Sequence, residues 1–571
     1  MTNKTISVAI TGSGGSGAVT TGLILLEAMA QSGYYGFMSR SAGPQIRGGE
    51  SAVMLRFSEQ PIFSPDDRFD VLLSLDWHKV ERFSEEIPLD SNSLIIGDSA
   101  AGEVPEILAS SGAVAEMLEF KQIAKTINGG RANMIGLGVL ATLIGISSDT
   151  MLSALKSILG KKGDEVIQTS NDCIKQGMEI TLTASAHLSL KWSSVRNKLW
   201  NISGNEACGV GALRAGIRFV AAYPITPASD ILEWMAPNLE KVGGSLLQAE
   251  DELASINMII GSSFGGVPSM TATSGPGLSL MMEGLGLAVA SETPLVVVNV
   301  MRGGPSTGIP TKSEQSDLNL ALYGFHGDAP HLVLAPLNIG DCVFTTQWAV
   351  CLSEQMQAVA LVLSDQSFGQ SRVIMKPPES FSLQCQRKTA ETVDESFQRY
   401  QLTEDGISPM SIPGQAEGMY TADGLEHNQR GTPSSIAGDH QSQMEKRLHK
   451  ITRYEYGDQW SVIEGEGDIA IITWGSSSAV CFEAASRLAE LNLHVKVIAV
   501  RLLMPLNSTA LSSALKGCST VYIVEQNHSG QFYHYLQAEQ VLPENSFSHA
   551  RPGPLPIRPN EIVELITGAK S

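Results

Sequence analysis

Three consecutive acids, Glu250, Asp251 and Glu252, lead into a run in which Ile256, Ile259 and Ile260 recur at helical spacing. Acids in a first helical turn ordinarily complement the helix dipole in water. Here the run continues through Gly261-Ser262-Ser263-Phe264-Gly265-Gly266, small and apolar residues that imply a buried helix. A buried carboxylate has a raised pKa and is costly unless it has a partner, so one of the three acids needs a specific one.

Three loops carry compatible chemistry. In Tyr223-Pro224-Ile225-Thr226-Pro227, two prolines flank Thr226 and hold the backbone extended directly after a strand-like run. The Thr226 hydroxyl is thereby presented at the carboxyl end of a sheet, the edge at which α/β folds bind ligands. A helix start, with Thr226 or Ser229 as cap and Pro227 in the first position, is compatible with that placement. Thr273-Ser274-Gly275-Pro276-Gly277 and Arg302-Gly303-Gly304-Pro305-Ser306-Thr307-Gly308 also follow β-rich runs. Hydroxyls, an arginine and an acid gathered at one edge make a pocket for a polar, anionic molecule.

Two N-terminal motifs are less specific. The turn Gly12-Ser13-Gly14-Gly15-Ser16-Gly17 places backbone N–H groups at a helix N-terminus, which favours a phosphate, although a tight turn for close helix packing reads equally well. No acid follows in 32–40, where a dinucleotide site would want one. In Gly43-Pro44-Gln45-Ile46-Arg47-Gly48-Gly49-Glu50-Ser51, glycines bracket an arginine that can pair two N–H groups with a carboxylate. A structural salt bridge to Glu50 is the alternative.

The elements that must position these groups follow an α/β pattern. A first block over 1–190 opens strand, turn, helix and reads as doubly wound, with further strands at 51–57, 71–74 and 93–97. A second α/β domain spans 204–376, with strands at 219–223, 269–273, 295–300 and 358–363. Residues 377–455 are polar and proline-dotted, an ordered excursion or a linker. A third α/β unit occupies 456–571. At 571 residues the chain is too long for one core. A net charge of −20 disfavours nucleic acid and anionic membranes, so anionic substrates need local cations. No apolar run is long enough to span a bilayer, and the N-terminus has no h-region, so a cytoplasmic protein is expected. The seven cysteines are odd in number and widely spaced with no C-x-x-C, which reads as reduced thiols and neither a disulfide framework nor a metal site.

Taken together, the motifs at 223–227, 250–255, 273–277 and 302–308, in that order, resemble the alpha subunit of 2-oxoacid:ferredoxin oxidoreductases. The motifs at 12–17 and 44–51 resemble the gamma domain that this family often fuses ahead of alpha, and Val524-Glu525-Gln526-Asn527-His528-Ser529-Gly530-Gln531 fits the same subunit. The resemblance covers nearly the whole chain. It implies three α/β domains: a doubly wound gamma domain, a pyrimidine-binding domain for thiamine diphosphate, and a transketolase-C-terminal-like domain. It implies that Glu252, with Glu250 as second choice, hydrogen-bonds the aminopyrimidine, and that Pro224, Ile225, Thr273 and Ser274 line the coenzyme. Thr226 and Arg302 would contact the substrate carboxylate and carbonyl, and Arg47 with Gln45 a distal carboxylate. The form of the 302–308 loop and the gamma-first fusion look most like enzymes that convert 2-oxoglutarate and coenzyme A to succinyl-CoA and CO2. Pyruvate and branched-chain enzymes are the near alternatives, and a non-catalytic nucleotide-binding subunit or a ferredoxin-independent thiamine enzyme the distant ones.

The sequence lacks Gly-Asp-Gly, which usually holds the diphosphate-bound Mg²⁺, and lacks cluster-binding cysteine spacing. The resemblance therefore assigns Mg²⁺ and a 4Fe-4S cluster to a separate beta subunit, in an alpha-beta heterotetramer that reduces ferredoxin. Purified without that partner, the chain is expected to show no CoA-dependent, 2-oxoacid-driven dye reduction; clear turnover by the lone chain contradicts this.

Overall fold

The computed structural model describes residues 5–43, 49–183, 198–383, 385–391 and 393–568. The chain forms two compact units, one built from the chain up to Ser203 with Gln370–Pro378 and the stretch from Leu555, the other from Gly204–Gly369 and Glu379–Pro554.

The first unit holds an eight-stranded mixed sheet. Its parallel half runs Val114–Leu118, Leu94–Asp98, Val71–Ser74, Thr5–Gly12, and its antiparallel half continues through Ser51–Ser58, Tyr35–Ala42, Arg372–Met375 and Trp200–Ser203. The helices Ala18–Gln31, Ala132–Ile144, Ser148–Leu159 and Asp164–Met178 contribute buried residues to its larger core. Arg372–Met375 lies at the end of the span read from sequence as the second domain, yet it pairs here. Arg372 fixes it by donating from Nε to Asn201 Oδ1 and from Nη2 to the Asn201 carbonyl, both at 2.9 Å.

In the second unit, Leu332–Leu334, Val359–Asp365, Leu295–Met301, Ser269–Thr273, Phe219–Ala222 and Ser245–Gln248 lie side by side, all parallel, and Leu502–Met504 adds an antiparallel edge. Leu295–Met301 and Val359–Asp365 are buried along their whole length, the pattern of parallel strands covered on both faces. A five-stranded sheet follows in the order Ser461–Glu464, Val495–Val500, Ile469–Trp474, Thr520–Glu525, Ser546–Ala550. No described helix is long and apolar enough to cross a membrane.

The polar stretch after 378 is an ordered strap within the second unit. Arg387 donates from Nε and Nη2 to the two carboxylate oxygens of Glu354, each at 2.9 Å, and reaches Ser263 at the end of the helix Glu252–Phe264. Arg399 is fully buried and donates to the Glu292 carbonyl and to Gln357 Oε1. The helix Ala437–Thr452 sends Lys446 and Lys450 to the Glu292 carboxylate, which these cations and Arg399 hold well below the usual carboxylate range against the desolvation that would raise it. Cys351 and Cys385 form a disulfide across the same contact, correcting the expectation of reduced thiols. Their separation of 34 residues has no local signature; only the returning strap brings them together.

Among the described residues, Glu292 is the one counter-charge for three buried cations in this cluster. Glu292→Gln should therefore destabilise the protein by about 3–5 kcal/mol, read as a lower denaturant midpoint. An unchanged midpoint contradicts the role of the cluster.

Candidate active site

The site is built where three neighbouring parallel strands of the second unit end. Past Phe219–Ala222 the chain runs through Tyr223 and Pro224, both exposed, to a cis peptide bond between Thr226 and Pro227. Buried Asn205 donates to the Pro227 carbonyl at 2.8 Å, and Arg302 Nη1 donates to the Thr226 carbonyl at 2.5 Å. These bonds fix the backbone on both sides of that peptide and leave the Thr226 hydroxyl without a hydrogen bond among the described residues. Ile225, like Thr226, is half-buried.

The three acids separate sharply. Glu250 and Asp251 are exposed, and Asp251 caps the helix Glu252–Phe264 by accepting from the Ala254 N–H at 2.7 Å. With the cap supplied, Glu252 becomes the first helical residue and turns inward, at 7% exposure. Its carboxylate meets no hydrogen-bond partner among the described residues, in place of the protein partner its burial led one to expect. It lies instead against Gly277, where a Cβ would fall 2.7 Å from Glu252 Oε1 and collide with Thr273 Oγ1. Thr273 ends its strand fully buried, and Ser274, the N-cap of the helix Gly275–Ala290, keeps a buried Oγ with no partner.

Arg302 follows Leu295–Met301 and is 7% exposed, its Nε buried without a partner. Desolvation draws its pKa down, and Asp317 acts in the opposite sense. Asn299, two residues inside the strand, donates from Nδ2 to Asp317 Oδ2 at 2.9 Å and leaves a buried, unpartnered Oδ1. The loop from Arg302 to Asp317 is tethered by fully buried Gln315, which donates to the Trp474 carbonyl at 2.8 Å and accepts from the Gln526 N–H at 2.7 Å. Gln526 belongs to the C-terminal motif 524–531, whose buried Glu525 accepts from the Phe532 and Tyr533 N–H groups. Three buried polar atoms without partners, Ser274 Oγ, Asn299 Oδ1 and Arg302 Nε, together with the unbonded Glu252 carboxylate, suit a polar ligand with hydrogen-bonding groups. Reading by motif missed Asn205, Asn299, Gln315 and Asp317. Asn299 has a signal in retrospect, as the lone amide in the apolar strand Leu-Val-Val-Val-Asn-Val-Met.

In the first unit the 12–17 turn opens onto a cavity of about 610 Å³ that Lys121, Arg131 and Lys162 face. The helix Ala18–Gln31 starts there with Gly17 as N-cap, no side-chain cap and no acid in its first turn, so its N-terminal dipole adds to the three cations. Asp76 instead accepts from Ser13, which holds the turn in place. Gln45 and Arg47 lie outside the described residues; Glu50, next to them, is buried and ion-pairs with Arg82 and Lys79.

Comparison with known families follows this division of the chain. Residues 7–180 match the pyruvate ferredoxin/flavodoxin oxidoreductase model, residues 210–446 the thiamine-diphosphate-binding model of pyruvate flavodoxin/ferredoxin oxidoreductases, and residues 458–532 the transketolase C-terminal domain. The 2-oxoacid:ferredoxin oxidoreductase subunit alpha of a Sulfolobus species is 30% identical over 92% of this chain and 91% of its own. The 2-oxoglutarate synthase subunit KorA of Methanothermobacter thermautotrophicus is 33% identical over 64% of this chain and 97% of its own. A solved structure of 2-oxoglutarate:ferredoxin oxidoreductase from Magnetococcus marinus, with 2-oxoglutarate, coenzyme A and succinyl-CoA bound, superposes with a TM-score of 0.91 at 36% identity and 99% coverage of both chains. With relatedness along nearly its whole length and an α/β domain for each of the three family models, the chain belongs to the 2-oxoacid:ferredoxin oxidoreductase family, as an alpha subunit.

Proposed function

We propose that the chain is the alpha subunit of a 2-oxoglutarate:ferredoxin oxidoreductase, which interconverts 2-oxoglutarate and coenzyme A with succinyl-CoA and CO2 and exchanges electrons with ferredoxin. The observation that carries this reading is the buried carboxylate of Glu252, without a hydrogen bond among the described residues and packed with the Thr273 hydroxyl against Gly277. When bound, thiamine diphosphate supplies the carbon nucleophile and the electron sink. Glu252 holds the proton at the ring nitrogen of the aminopyrimidine, in a low-dielectric setting that strengthens the hydrogen bond. Thr273, Ser274, Pro224 and Ile225 bound the ring's place, and exposed Glu250 is set aside as the second choice.

Arg302 and Thr226 take the 2-oxoacid. The guanidinium binds the carboxylate while the Thr226 hydroxyl donates to the carbonyl oxygen, where negative charge develops. Arg47 and Gln45 hold the distal carboxylate that distinguishes a five-carbon diacid from pyruvate and branched-chain substrates. The cavity at the 12–17 turn, with Lys121, Arg131 and Lys162 and a helix N-terminus, has the charge to receive the phosphates of coenzyme A.

The diphosphate, Mg²⁺ and the 4Fe-4S cluster belong to a beta subunit in an alpha-beta heterotetramer. On or next to the strands and helices that carry the site, the exposed apolar side chains Tyr223, Leu247, Leu253, Met258 and Leu280 support docking of that partner. A cytoplasmic location fits an enzyme that exchanges electrons with ferredoxin.

In the assembled enzyme, Glu252→Gln should lower turnover about 10²- to 10⁴-fold, the range of a lost acid–base group, while Glu250→Gln stays near wild type; equal effects contradict the assignment. Gly277→Ala should weaken thiamine diphosphate about tenfold by crowding Glu252, measured by titration of the apo-complex, and unchanged affinity removes the pocket. Arg47→Ala should impair 2-oxoglutarate use far more than 2-oxobutyrate use. Parallel losses argue against a distal-carboxylate contact.

A further inference from the structure

Asp317 stands at the N-cap position of the helix Leu318–Tyr323 but makes no capping hydrogen bond to it. Its carboxylate turns back into the site. Oδ2 accepts from Asn299 Nδ2 at 2.9 Å, and both oxygens press on the first residue of the helix Gly275–Ala290, where a Cβ on Gly275 would lie 2.7 and 2.8 Å away. Ser316, next in chain, donates to the Arg302 carbonyl at 3.0 Å, so the same turn is bonded to the residue that carries the guanidinium. Arg302 and Asp317 sense each other's charge without forming an ion pair among the described residues. An acid held at that remove tempers the cation instead of neutralising it.

We propose that Asp317 is a positioning residue that weakens the hold of Arg302 on the 2-oxoacid carboxylate, trading substrate affinity for faster loss of CO2. The inference rests on the reading of Arg302 given above. When the C1–C2 bond breaks, its electron pair stays with the C2 fragment and C1 departs as neutral CO2. Negative charge therefore leaves the carboxylate as the transition state forms. A full positive charge beside the carboxylate stabilises the bound substrate more than the transition state, which deepens binding and slows the step. The partial countercharge of Asp317 evens the two.

Among the described residues, the charged and titratable groups facing Asp317 are Arg302 and, on the same loop, Glu314, with His528 beyond Glu314. Desolvation raises the pKa of Asp317 above the usual carboxylate range, Asn299, Ser316 and Arg302 opposing it; Glu314 is raised by burial and by Asp317. Acidification thus protonates Asp317 and releases the full field of Arg302, so the wild-type KM for 2-oxoglutarate should fall towards low pH.

The test uses the assembled enzyme. Asp317→Asn keeps the acceptor for Asn299 and removes the charge. It should lower KM for 2-oxoglutarate and slow single-turnover CO2 release, each about three- to fivefold, the scale of one partly solvated charge. It should also abolish the fall of KM at low pH, which Glu314→Gln should retain. A purely structural role would raise KM and slow the reaction together, and that result, or no change in either, overturns the proposal. Should Asp317→Asn not fold, a wild-type KM that is flat or rises on acidification overturns it equally. Arg302→Ala separates the two readings: if it leaves KM unchanged, the assignment of Arg302 fails and the inference with it, whereas a large rise in KM together with an inert Asp317→Asn sinks the inference alone.

Discussion

The site in the second unit depends on holding one carboxylate inward without a hydrogen-bond partner among the described residues. That carboxylate belongs to Glu252, which is buried, and its surroundings are arranged to hold it there. Asp251 takes the capping role, so Glu252 is not spent on its own helix N-terminus. Ile256 and Ile259 bury the face beneath it, and Gly284 lets the helix Gly275–Ala290 come close to Ile256. Gly277 has no Cβ to collide with the Glu252 carboxylate and the Thr273 hydroxyl. On the proposed assignment, an acid pre-positioned in this way would meet the coenzyme with little further reorganisation.

The helix that begins at Glu252 is restrained at its other end by polar anchors. Arg387 binds both the backbone and the hydroxyl of Ser263, and Glu354 accepts from Arg387 in turn. The strap is too polar to be held by an apolar core, so its fixed points are buried ions: Arg387 on Glu354, and Arg399, Lys446 and Lys450 around Glu292. Gln315 performs a comparable task for the Arg302 loop, bonding it to the turn after Ile469–Trp474 and to the C-terminal motif. Chain segments far apart in sequence thus set the geometry around one pair of charges.

Much of this was legible in the residues. The fully buried parallel strands, such as Leu295–Met301 and Val359–Asp365, announce themselves as unbroken apolar runs, and the loops that follow strands carry the hydroxyls and arginine of the site. Strands with one exposed or partly exposed face, such as Ser245–Gln248 and Val114–Leu118, lack that signal. Arg372–Met375 could not be assigned to its sheet because pairing is decided by tertiary contact, and the Cys351–Cys385 bridge has the same origin. The three acids show the limit most clearly: their spacing says that one is buried, and the capping of the helix by Asp251 decides that Glu252 is that one. Asp317 lies outside every motif, and only the structure shows its carboxylate turned towards Asn299.

The most direct probe of the central claim is the nitrogen resonance of thiamine diphosphate labelled with ¹⁵N at the pyrimidine nitrogen expected to face Glu252, recorded by solid-state NMR in the assembled enzyme. A buried carboxyl sharing a proton with that atom predicts a large displacement from the value of the free coenzyme that disappears in Glu252→Gln. A resonance at the free-coenzyme position in the wild type, or one that the substitution leaves in place, would contradict the account.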